Sequence, residues 1–154
     1  MLDHIHKRHN KNLLVYHLVC PVKFRRKVFT EDVTATLKQV CLELGLRYEI
    51  VFLEIGIDED HAHFLLQTVP NRTVSDTVKL IKSITAKHLF KQHPEVKTFL
   101  WGGNFWTMGY YVNTVGQYGN LAMLQNYVKK QGIKSYQQVH HQTLSLFDEP
   151  DQTA

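Results

Sequence analysis

The stretch YEIVFLEIGIDEDHAHFLLQTV, residues 48–69, decides the fold. Tyr48 to Ile57 is rich in β-branched and aromatic residues, Asp58, Glu59 and Asp60 make an acidic turn, and His61 to Val69 runs on until Pro70 and Asn71. Such side chains fit a pleated surface, and a short polar break between two such runs reads as a hairpin. In the second strand the period of two sets His61, His63, Leu65 and Gln67 on one face and Ala62, Phe64 and Leu66 on the other. Phe64 and Leu66 belong under helices, which leaves the histidine face free to carry a site.

Working outward, Leu13 to Cys20 is an apolar run that Pro21 interrupts, and the basic stretch Lys23, Phe24, Arg25, Arg26, Lys27 follows it. Thr30 suits an N-cap, and Val33, Leu37, Val40, Cys41 and Leu44 recur at helical spacing until Gly45 stops the pattern. Beyond the hairpin, Thr73 with Asp76 resembles a capping box, and Val74, Val78, Ile81 and Leu89 form a stripe flanked by Lys79, Lys82, Lys87 and Lys91. Past His93 and Pro94 a loop through Gly102 and Gly103 leads to a fourth strand, Trp106 to Val112. The order β-α-β-β-α-β predicts an α+β fold of the ferredoxin-like, split βαβ kind, an antiparallel sheet beneath two helices. A third helix is expected after Gly116 and Gly119, capped by Asn120, striped by Leu121, Leu124 and Val128 and closed by Gly132. Residues 1–133 are thus expected to form one domain and 134–154 a polar tail.

With 154 residues and 44% hydrophobic content, the chain can bury a single core. It has no run of 18 or more apolar residues, and Asp3, His4, His6 and Asn10 break up any signal-peptide core, so a soluble, cytoplasmic protein without membrane partner is expected. Cys20 and Cys41 lie on different elements and outside any Cys-x-x-Cys pair, as reduced, buried thiols do. A net charge of +4 suits a polyanionic partner as well as an ordinary basic protein, so the distribution of charge must decide.

Two imidazoles side by side on a strand, next to an acidic turn, can bind one divalent cation through neutral ring nitrogens; they can equally be two exposed strand histidines. On the third helix Tyr127 and Gln131 are four residues apart and share one face beside Leu124 and Val128. If that stripe docks on the histidine face, four groups meet in one site; otherwise Tyr127 is an aromatic at the edge of the stripe and Gln131 a solvated helix end. Tyrosine, with a pKa near 10, is a poor nucleophile at neutral pH unless its target is activated. A cation on two imidazoles and an amide oxygen would polarise a scissile phosphate, and a phenol attacking a phosphodiester makes another phosphodiester, which suits rejoining. Tyr110, Tyr111, Tyr118 and Tyr136 compete for the nucleophile role, but none has a glutamine four residues on within a helix; His17, His140 and His141 form no strand pair facing one way.

His61-Ala62-His63 resembles an HUH motif, with Ala62 a small residue at its middle position. Trp101-Gly102-Gly103-Asn104-Phe105-Trp106, Gly109-Tyr110-Tyr111-Val112, Thr114-Val115-Gly116 and Tyr127-Val128-Lys129-Lys130-Gln131 resemble, in order, landmarks of the single-tyrosine transposases of the insertion sequence 200/605 family. The resemblance spans about Leu13 to Gly132. It implies His61, His63 and Gln131 as ligands of magnesium or manganese, and Tyr127 as the nucleophile that forms a 5′-phosphotyrosine and leaves a 3′-hydroxyl. It also implies a homodimer able to exchange the Tyr127 helix, single-stranded DNA with hairpin ends as substrate, and Lys23, Arg25, Arg26, Lys27, Lys79, Lys82 and Lys87 as candidate phosphate contacts. A domesticated recombinase acting on palindromic repeats would keep the same chemistry. A non-catalytic ferredoxin-like module binding a small ligand or RNA would keep only the fold.

Overall fold

The structure is a computed structural model and describes residues 3–116 together with Asn126 and Val128. A small N-terminal hairpin, β1 (Ile5–His6) and β2 (Lys11–Asn12), precedes β3 (Leu14–Pro21), α1 (Glu31–Tyr48), β4 (Val51–Ile57), β5 (His61–Thr68), α2 (Val74–Gln92), α3 (Pro94–Phe99) and β6 (Tyr111–Val115). β3 to β6 form one antiparallel sheet in the order β4-β5-β3-β6. With α1 and α2 this is the expected split βαβ, ferredoxin-like arrangement.

The helices start where their caps dictate. The Thr30 hydroxyl accepts from the Val33 amide and the Thr73 hydroxyl from the Asp76 amide, each satisfying an amide that the first helical turn leaves without a partner. From α1, Val33, Leu37, Cys41 and Leu44, and from α2, Val78, Ile81 and Leu89, pack on Leu18, Cys20, Phe52, Ile55, Phe64 and Leu66 of the sheet. Phe52 and Phe64 meet edge to face with ring centroids 5.9 Å apart. Each such side chain, fully buried, stabilises the fold by about 1.5–3 kcal/mol. Both cysteines are buried free thiols in this layer, and burial pushes the Cys20 thiol up to about 12 and the Cys41 thiol further still.

Three local expectations are corrected. Gly45 does not end α1: it is buried within the helix, which continues to Tyr48 and closes on Glu49 in the left-handed conformation, with the Gly45 carbonyl accepting from the amides of Glu49 and Ile50. Pro94 is the first residue of a further short helix, where its missing N–H costs nothing. The fourth strand pairs with β3 over Tyr111–Val115, not from Trp106, because Trp106 makes only an isolated bridge to Val22 and turns its indole N–H to the Thr85 hydroxyl at 2.9 Å.

The other face of the sheet is not free. His17, Glu54, His63, Leu65 and Gln67 are each at most 6% exposed. Val15, Leu53, Leu65 and Val115 form a second, smaller apolar cluster there. The Gln67 amide donates to the Asp3 carbonyl at 3.0 Å, and Val128, helical and fully buried, also packs on this side. An ideal Cβ built on Gly56 would lie 2.0 Å from the Val128 carbonyl oxygen, so the close approach requires glycine at position 56.

Candidate active site

Register fixes who meets whom on the buried polar face. His63 lies between Val19 of β3 and Gly56 of β4, and Leu65 between His17 and Glu54. His17 is therefore diagonal to His63, within reach across the ladder. Its ring stacks on that of His63, with centroids 5.3 Å apart and planes 14° from parallel, and its Nε2 is 3.1 Å from His63 Nδ1. Burial, and then the neighbouring His61 and His17, hold His63 down to about 3, which keeps its imidazole neutral at physiological pH. Burial also lowers His17, against a hydrogen bond with Asn113, its cross-strand neighbour.

His61 opens β5, where the Asp58 amide donates to the His61 carbonyl and closes the acidic turn at 2.9 Å. Its Nδ1 is 2.7 Å from one oxygen of Asp60, and the other oxygen accepts from Arg25 Nε at 3.1 Å. Burial alone would raise Asp60, but hydrogen bonds from His61 and Arg25 outweigh it and hold the carboxyl below its usual range. A carboxylate on Nδ1 orients a histidine so that Nε2 points outward, the arrangement commonly found behind metal-bound imidazoles.

The His61 and His63 rings are 4.9 Å apart at 67°. An ion about 2.1 Å from a ring nitrogen sits roughly 3.2 Å from that ring's centroid, so two rings at right to tetrahedral angles would be roughly 4.5–5.2 Å apart. The observed centroid separation therefore falls in the range that a shared cation would require. Two imidazoles are an incomplete ligand set, and among the described residues no group of three His, Cys, Asp or Glu could hold a metal. The expected third ligand, Gln131, and the expected nucleophile, Tyr127, lie outside the described residues, as does most of the expected third helix.

The basic residues are divided among several tasks. Arg25 is bound to Asp60, Lys27 lies 3.3 Å from Glu59, and the Lys23 ammonium sits 5.4 Å from the Phe24 ring centroid, while Arg26 is exposed. Lys82 donates to the carbonyls of Thr107 and Met108 at 2.5 and 3.1 Å and lies over Tyr110. Lys79, exposed on α2, borders a groove of about 330 Å³ with Lys82 and residues 103–108, and Lys87 lines a separate groove between α1 and α2. Tyr111 lies on the histidine face, its ring centroid 6.3 Å from that of His17, so it is the competing tyrosine that position makes relevant. Sequence reasoning set His17 aside. The signal that could have found it is that Val15, His17 and Val19 alternate on one face of the strand paired with β5.

An antiparallel sheet with two helices on one face and paired histidines on the other defines a class of α+β proteins, and comparison with known proteins narrows it. Residues 10–131 match the family described as "Transposase IS200 like". The chain is 32% identical over 121 residues to the ISDra2 transposase TnpA of Deinococcus radiodurans, covering 79% of this chain and 86% of that protein. It is likewise 32% identical over 116 residues to the transposase for insertion sequence element IS200 of Salmonella typhimurium, covering 75% of each. A crystal structure from Deinococcus radiodurans R1, assigned as a transposase, superposes with a TM-score of 0.68 at 29% identity over 83% of this chain and 98% of that one. A REP-associated tyrosine transposase bound to a REP hairpin shares the fold, with a TM-score of 0.59 at 10% identity over 84% and 73% of the two chains. The chain belongs to the IS200-like transposases of the insertion sequence 200/605 family.

Proposed function

We propose that this transposase cleaves and rejoins single-stranded DNA through Tyr127, with His61, His63 and Gln131 holding magnesium or manganese. The observation that carries the reading is the contact of Val128 with Gly56. The residue next in sequence to Tyr127 lies on the buried polar face, on the strand position paired with His63.

The paired imidazoles, one oriented by Asp60 and the other against His17, suit a hard cation that would polarise the scissile phosphate. The Tyr127 oxygen attacks phosphorus and loses its proton; the bond from phosphorus to the 3′-oxygen breaks, and that oxygen leaves as a hydroxyl. The product is a 5′-phosphotyrosine, one phosphodiester exchanged for another, so a DNA 3′-hydroxyl can reverse the step. Arg26, Lys79 and Lys87, exposed on the surface, are phosphate contacts in this reading; Lys23, Arg25, Lys27 and Lys82 contribute positive charge while holding local structure. The substrate class is single-stranded DNA with hairpin ends. The working form is a cytoplasmic homodimer in which the 116–119 connection would let the Tyr127 helix exchange between subunits. No helix among the described residues is long and apolar enough to cross a membrane.

The test is incubation of the full chain with a labelled hairpin oligonucleotide and magnesium, followed by denaturing electrophoresis. Wild type and Tyr111→Phe should form a covalent adduct, whereas Tyr127→Phe and His61→Ala should not. An adduct that survives in Tyr127→Phe and disappears in Tyr111→Phe would transfer the nucleophile to β6.

A further inference from the structure

We infer that Phe24 and Trp101 form a stacking platform for an unpaired nucleobase of the DNA strand, beside the histidine site. The two rings stack with centroids 5.3 Å apart and planes 28° from parallel. Phe24 is 48% and Trp101 68% exposed, although Phe105 and Trp106, a few residues further along the chain, are 1% and 5% exposed in the core. The sequence therefore has buried positions for aromatics in this region, and these two rings are held outside them.

Backbone geometry holds them there. Phe24 and Arg25 adopt φ of 60° and 52°, a left-handed conformation that costs a bulky residue, and Gly102 and Gly103 follow Trp101 at φ of 99° and 81°. The two turns are tied together, since the Lys23 amide donates to the Phe105 carbonyl at 2.8 Å and Val22 bridges to Trp106. Strain maintained at Phe24 and Arg25 to hold an aromatic pair in solvent contributes little to the core. It does prepare a flat apolar surface in advance of a ligand.

Charge selects the occupant. Lys23 lies beside the Phe24 ring, and Arg26 and Lys27 follow on the exposed side, which suits the phosphates on either side of a stacked base. Location selects the strand, because Arg25, next to Phe24, is bound to the same carboxylate that orients His61. A base on the platform would thus be anchored one ion pair away from the paired imidazoles. Stacking is tolerant of sequence, since every base has a π-face.

The inference rests on the single-stranded DNA substrate proposed above, and its test is independent of cleavage. The chain has two tryptophans, Trp101 and the buried Trp106, so quenching of the exposed emission reports on Trp101. Titrate the full chain, in EDTA so that no metal-dependent step occurs, with an oligothymidylate of about twelve nucleotides and with an abasic oligomer of equal length. The oligothymidylate should quench the emission and the abasic strand should not. Trp101→Ala and Phe24→Ala should weaken oligothymidylate binding about 5- to 150-fold, and Trp101→Tyr should restore most of it. Equal binding of both oligomers, or unchanged affinity in Trp101→Ala, would overturn the platform even if the covalent adduct forms. Quenching without any adduct would support the platform and remove the proposed cleavage chemistry instead. Loss of self-association in Trp101→Ala with DNA affinity intact would reassign the rings to a contact between copies of the chain, and so overturn the inference.

Discussion

The two faces of the sheet bury residues of unlike chemistry. Beneath the helices, Leu18, Cys20, Phe52, Ile55, Phe64 and Leu66 make an apolar layer. On the reverse, His17, Glu54, His63 and Gln67 are also enclosed but alternate with Val15, Leu53, Leu65 and Val115. Burying polar groups is unfavourable unless their hydrogen bonds are replaced, so an enclosed polar face is tolerated at some cost to stability. One strand, β5, serves both faces, which means that stability and chemistry can be separated by moving one residue along it.

The sharpest test of that separation compares neighbours. Phe64→Ala should cost about 3–5 kcal/mol in urea denaturation, as truncation of a fully buried phenylalanine does, and should spare metal affinity once the protein is folded. His63→Ala should abolish adduct formation at a smaller cost of about 1–3 kcal/mol, the scale of leaving one buried hydrogen-bonding group without its partner. If His63→Ala unfolded the protein as severely as Phe64→Ala, the two faces would not be distinct in function.

A smaller effect is expected where the faces differ by closeness of approach. Gly56→Val drives a side chain into the Val128 backbone, so it should reduce adduct formation at least about 10-fold and speed proteolysis of the segment after residue 116. Unchanged proteolysis in a folded variant would mean that Val128 is not held against β4. Next come the residues behind the imidazoles: Asp60→Ala and His17→Phe should each weaken manganese binding, measured by calorimetry, by about 10- to 100-fold while the fold persists. The smallest effect lies on the helical side. Burial holds Lys38 down to about 8 against an ordinary 10.5, so between those values the folded chain binds fewer protons than the unfolded one and stability rises with pH. Lys38→Met should flatten that rise and stabilise the protein at pH 7.

Much of this was legible in the sequence because it is local. The alternation of β5 placed His61 and His63 opposite Phe64 and Leu66, and Thr30 and Thr73 marked both long helices. Misreadings arose where tertiary contacts overrode a local signal. Gly45 carried the mark of a helix stop, yet packing carries α1 past it. Trp106 had the composition of a strand, but its indole belongs to Thr85 in the core. His17, weighed and set aside for want of a partner on its own strand, has that partner 46 residues away on a neighbouring strand, and periodicity within one strand does not encode the register between two. The exposed Phe24 and Trp101 pair has the same origin, two turns far apart in sequence that meet only in the fold.

The enclosed thiols have a practical consequence. Cys20 and Cys41 are 0% exposed, and burial suppresses the thiolates that maleimide and iodoacetamide reagents need. A cysteine introduced on the surface, for example by Met108→Cys, would therefore react against a silent background without removal of the native pair. Fluorophores attached in this way could follow strand capture and release one molecule at a time.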